Sequence, residues 1–99
     1  DGVRLCFSDV ATLPGIGLAF TAIAENTDDS YLDGRCVGSA VGIMDDGGRV
    51  RYLKQLAGAP KVEGIHAQMA GQLVQLLLVT DPDDASIPAQ LLTAEICID

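Results

Sequence analysis

Apolar and polar residues alternate along much of this chain, and a period of two is the pattern of a half-buried β-strand. It runs through Val3-Arg4-Leu5-Cys6-Phe7, Leu18 to Ala24, Gly38 to Met44, Val50-Arg51-Tyr52-Leu53 and Leu91 to Ile98. Asp45-Asp46-Gly47-Gly48 separates two of these segments. Asp/Gly clusters of this kind supply the turn conformations of a tight hairpin.

The alternating segments recur. Val3-Arg4, Ala11 and Gly17-Leu18 return 47 residues later as Val50-Arg51, Gly58 and Gly64-Ile65. Ala24-Glu25-Asn26-Thr27-Asp28-Asp29 returns 55 residues later as Val79-Thr80-Asp81-Pro82-Asp83-Asp84. The change of offset places extra residues in the second copy around Ala67 to Gln72, with Gly71 at the tip of a hairpin. One stretch reads two ways: Ile65, Met69, Leu73, Leu76 and Leu77 lie at helical spacing among good helix formers. Its counterpart in the first copy, with Phe20, Thr21 and Ile23, suits a strand. Strands are therefore expected across Ile65 to Val79.

A repeat of this length with about four strands per unit is the pattern of propeller blades. The expected fold is all-β: two antiparallel four-stranded propeller-type blades plus one strand of a preceding blade, a partial β-propeller. Residues 1–13 would be the outer strand and linker of the preceding blade, residues 14–58 one blade and residues 59–99 the next. Two blades leave sheet faces uncovered. The expected partners are therefore the remaining blades, from the same protein, another chain or self-association. A chain of 99 residues is short for this design, which leads us to expect a fragment or a subunit.

Composition narrows the function classes. Fourteen acids against six bases leave a net charge of −8, which opposes nucleic-acid binding. Four of the bases, Arg49, Arg51, Lys54 and Lys61, share one acid-free stretch and read as a solvated outer strand. The apolar run from Leu76 to Val79 is far short of the ~20 residues of a membrane span. Asp1-Gly2-Val3-Arg4 does not open a signal peptide. Cys6, Cys36 and Cys97 are odd in number and show no CxxC spacing, so they are expected as buried free thiols. That points to a soluble protein in a reducing, cytoplasmic setting.

The segments Phe20 to Asp29, Gly38-Ser39-Ala40-Val41-Gly42, Lys61-Val62-Glu63-Gly64-Ile65 and Leu76 to Asp84 carry a resemblance. They look like the C-terminal part of a bacterial β-propeller family of unassigned function. The Glu63-Gly64 step also resembles the start of inner strands in esterase-like phytase and calcium-dependent lactonase propellers. That resemblance implies a Glu63 facing a central channel, where it would ligate a metal.

The residues suggest the same places to look. Glu63 aligns with Ile16 in the repeat, an acid where the other copy is apolar. With Lys61 and His66, Glu63 is the candidate ligand or channel group. Asp81, Asp83 and Asp84, together with Glu63, are candidate ligands for calcium, as oxygen donors suit a hard cation. Asp28, Asp29 and Asp33 form a similar cluster. Asp is also a good turn residue, and neither cluster follows an EF-hand loop. His66, the only histidine, has no nucleophile motif beside it. Gly15-Ile16-Gly17 lacks the third glycine of a dinucleotide fingerprint and reads as a turn entering a strand. The expected function is a small-molecule-binding or interaction scaffold. The alternatives are a calcium-dependent phosphoester or lactone hydrolase, with part of its site on other blades, and a structural half-propeller completed by association.

Overall fold

Short turns convert the alternating segments into hairpins. The computed structural model describes residues 5–26, 35–81 and 86–98. Pro14-Gly15-Ile16 reverses the chain between β1 (Leu5–Leu13) and β2 (Gly17–Asn26), closed by the Ile16 N–H donating to the Leu13 carbonyl at 3.0 Å. β3 (Arg35–Asp45) and β4 (Val50–Gln55) are joined by the expected Asp/Gly turn. There the Asp45 Oδ1 accepts the N–H groups of Gly47 and Arg49 at 3.0 and 2.9 Å. β5 (Val62–Ala70) and β6 (Leu73–Thr80) meet at Gly71-Gln72, and β7 (Leu91–Cys97) follows. Gly71 has φ +65°, a conformation that favours glycine. This turn settles the ambiguous stretch, because it interrupts the helical spacing of Ile65 to Leu77 at its centre.

The strands form two antiparallel sheets, a four-stranded one in the order β1-β2-β3-β4 and a three-stranded one in the order β5-β6-β7. Among the described residues there is no helix. Each sheet turns one face inward. Leu13, Ala19, Ile23, Val41 and Ile43 of the first sheet share one core with Val62, Val74, Leu76, Leu78 and Ile96 of the second. The period of two explains the choice, since Val74, Leu76 and Leu78 turn inward while Leu77 and Val79 remain exposed. On the first sheet's other face, Phe20 lies opposite Gly42, and the Phe7 and Phe20 rings meet edge to face with centroids 4.8 Å apart.

The coarse expectation of an all-β, antiparallel fold stands, and two finer ones need correction. The opening strand, placed in a preceding blade, instead pairs with β2 from Leu5↔Ala24 to Leu13↔Gly17. The second unit has three strands among the described residues rather than four. Among the described residues neither a closed barrel nor a propeller is seen. The first error follows from the repeat, which aligns Val3-Arg4 with Val50-Arg51, whereas β1 and β4 are opposite edges of one sheet. A bulge between Phe7 and Asp9 breaks the alternation, so Phe7 and Val10, three apart, lie on the same face, opposite Ala22 and Phe20. The expectation of buried thiols also fails for two of the three cysteines. Cys6 and Cys97 are free and exposed, each near the end of an edge strand, where little packs over the side chain.

Candidate functional site

Two features are built by the junction and the faces of the sheets. The first is a polar seam between β1 and β5, which run side by side. Both strands are bulged there, β1 between Phe7 and Asp9 and β5 between Val62 and Gly64. Ser8 Oγ donates to the Val62 carbonyl at 2.8 Å and lies 2.6 Å from Thr21 Oγ1. A hydroxyl has one proton, so the Ser8 proton goes to the carbonyl and the buried Thr21 hydroxyl donates to Ser8. The Asp9 Oδ2 accepts the Ile65 N–H at 3.0 Å. The two bonds tie adjacent residues of β1 to both sides of the bulge in β5. Side chains of one sheet thereby occupy backbone groups on the edge of the other.

The second feature is an open concavity of about 660 Å³ on the outward face of the second sheet. Register places its lining. His66 lies opposite Leu77, which lies opposite Thr93; Gln68 lies opposite Gln75, which lies opposite Glu95. Inward Ile65, Ala67 and Met69 alternate with outward His66 and Gln68 on β5, which fixes the direction of the polar groups. Two carboxamides, an imidazole, a hydroxyl and a carboxylate around Leu77 offer both donors and acceptors beside an apolar floor. The arrangement suits binding of a polar molecule by hydrogen bonds.

The other residues singled out from sequence are dispersed. Glu63 is exposed at the β5 bulge, and Lys61 is half-buried just before that strand. Asp81 is exposed after β6, and its backbone N–H donates to the Lys61 carbonyl at 2.9 Å. Backbone pairing thus brings Lys61 and Asp81 together, whereas His66 belongs to the concavity. Asp28, Asp29, Asp33, Asp83 and Asp84 lie outside the described residues. Among the described residues no group of three or more His, Cys, Asp or Glu side chains is placed to hold a metal ion.

The comparison of Glu63 with Ile16 does not survive the topology. Ile16 belongs to the turn between β1 and β2, while Glu63 sits at a bulge in the first strand of its sheet. The acid therefore replaces no equivalent apolar position. Sequence reasoning missed Gln68, Gln75, Thr93 and Glu95, although the alternation that marks the strands also selects them as outward. It missed Ser8 and Asp9 because a bulge hides the register.

These observations define an all-β protein of two face-packed antiparallel sheets. Residues 1–85 match the family described as "Family of unknown function (DUF6910)", and the chain belongs to that family. No curated protein and no solved structure gives a significant match. The wider likeness to phytase and lactonase propellers finds no counterpart in these comparisons.

Proposed function

We propose that this chain supplies two neighbouring sheets of a larger propeller-type β-assembly that acts as a small-molecule-binding scaffold. The observation that carries the reading is the seam. The first strands of both sheets lie side by side, while each sheet extends away from them in chain order. Successive sheets that repeat this step would fan out around an axis beside β1 and β5. The outward faces fit the same reading, because they leave Phe7, Val10 and Leu53 exposed on one side and Leu77, Val79 and Leu91 on the other. Exposed apolar groups collected on a face mark a surface that another element covers.

Within the scaffold, the concavity around His66, Gln75, Thr93 and Glu95 is the proposed ligand site. Its polar lining selects an uncharged or cationic organic molecule rich in hydrogen-bonding groups, since the chain carries a net charge of −8. A thermal-shift panel of polyols, amino acids and nucleosides tests this on the wild type and on the His66→Ala, Gln75→Ala double variant. A compound that stabilises the wild type and loses its effect on the double variant supports the site. Shifts of equal size on both proteins would remove it.

A further inference from the structure

The two sheets have four edges, and three carry a feature that disposes of unpaired backbone. β1 and β5 face each other across the seam, both bulged, with Ser8 and Asp9 bonded to backbone groups at Val62 and Ile65. β4 is only six residues long and presents exposed Arg51 and Lys54. Shortness, bulges and cations are the usual means of blunting an edge. β7 is only one residue longer than β4, but it has no bulge and no cation. Its register with β6 runs unbroken from Leu73↔Cys97 to Val79↔Leu91, and the strand contains no Lys, Arg or Pro.

The direction of its backbone groups follows from two bonds. The Ile98 N–H donates to Gln72 and the Gln90 carbonyl accepts from Thr80, at 2.9 and 3.0 Å, so both residues direct their groups toward β6. Backbone direction alternates along a strand, so Leu92, Ala94 and Ile96 also point toward β6. The N–H and C=O groups of Leu91, Thr93, Glu95 and Cys97 therefore point away from it, and no strand of the described residues pairs with them. The same four side chains are exposed.

We propose that the β7 edge docks one further β-strand, antiparallel to β7, from polypeptide outside residues 1–99. The first sheet shows what such a strand is like. There the third strand is covered by β4, which mixes Val50, Tyr52 and Leu53 with Arg51 and Lys54. Tyr52 packs against the shared core. The occupant of the β7 edge is likewise apolar where it meets the core beside Leu92, Ala94 and Ile96, and cationic elsewhere. Charge favours it, as Glu95 lies on the docking strand of a strongly acidic chain. The inference rests on the sheet edges and holds whatever the arrangement of further sheets.

The test extends the chain after Asp99 by a copy of residues 46–55, the turn and strand that follow β3, and reads amide exchange by NMR. The tether supplies a high effective concentration. The expected result is exchange at Thr93 and Glu95 slowed by at least about tenfold on extension. Leu92, Ala94 and Ile96 amides should be protected in both proteins, which verifies that β7 is folded. Thr93→Pro removes an outward donor but no bond to β6, and should cancel the added protection at Glu95. If the unextended chain protects neither set, joint protection of both sets on extension supports the proposal, and protection of neither overturns it. Unchanged exchange at Thr93 and Glu95 with the inner amides protected would also overturn it. So would outward amides already protected in an unextended chain that sediments as a dimer, which would make a second copy the occupant.

Discussion

The carboxylate of Asp9 accepts the backbone N–H of Ile65 at 3.0 Å, so a side chain of the first sheet completes the hydrogen bonding of the second sheet's edge. A buried or half-buried N–H left without an acceptor costs its desolvation, about 1–3 kcal/mol. Asp9→Ala should therefore destabilise the fold by about that amount, and Asp9→Asn, which keeps an acceptor oxygen, should cost less. Urea unfolding of the three proteins checks the order. Equal stability of wild type and Asp9→Ala would deny the seam its structural role.

A second pair governs the outward face of the first sheet. Phe20 lies across from Gly42, where a Cβ would overlap the phenyl ring and come within 2.8 Å of the Tyr52 carbonyl oxygen. Gly42→Ala should cost about 1–3 kcal/mol, the usual penalty of overpacking. Part of that cost should vanish in a Phe20→Leu background, because only the ring clash is relieved. A double-mutant cycle measures the coupling. Additive costs would mean that the ring and the glycine are independent.

Ser39 is buried, and its hydroxyl has no hydrogen-bonding partner among the described residues. Replacing a buried unsatisfied group by an apolar one of similar shape is neutral or favourable. Ser39→Ala is expected to leave stability unchanged or raise it by up to about 1 kcal/mol. Thermal unfolding reads the result, and a clear loss of stability would show that the hydroxyl has a structural task.

Strand positions were largely legible in the chain, and the exceptions are local. Alternation located most of β2 and β3, the start of β4 and the whole of β7, while the Asp/Gly cluster located the turn after Asp45. The β5–β6 hairpin was harder, because Ile65, Met69 and Leu73 fit a helix until Gly71 is read as a turn. The repeat misleads for β1, because it aligns Val3-Arg4 with Val50-Arg51 although β1 and β4 are opposite edges of one sheet. The candidate site was less legible still. Gln68, Gln75, Thr93 and Glu95 converge only through the register of three strands, and no local motif encodes a register.

The Asp45 turn gives a pH dependence. Hydrogen bonds hold the Asp45 carboxyl below its ordinary value of 3.8, foremost from the Arg49 N–H and then from the Arg51 side chain and the Gly47 N–H, against some desolvation. A carboxyl whose pKa is lowered on folding contributes stability above its unfolded value and loses that contribution as pH falls through the folded one. The turn is therefore expected to weaken below pH 3.8, not above it. NMR titration of Asp45 should show the depression, and Arg51→Ala should leave most of it because the leading bond comes from backbone. An Asp45 titrating at or above 3.8 would contradict the turn geometry.

Calcium distinguishes the scaffold from the hydrolase alternative. Glu63 and Asp81 belong to no metal-holding group of described residues. Calorimetry with calcium should therefore give the same result for the wild type and Glu63→Gln. Binding that depends on Glu63 would revive the hydrolase reading, with Asp83 and Asp84 the next residues to substitute.

The central claim, that these sheets are neighbours in a radial β-assembly, is tested most directly by a crystal structure of the longest polypeptide in which residues 1–99 occur. The predicted result has β1 and β5 innermost beside an axis, with further sheets covering Phe7 and Leu53 on one side and Leu91 on the other. A structure in which both outward faces meet only water, with the two sheets closed on each other alone, would contradict it.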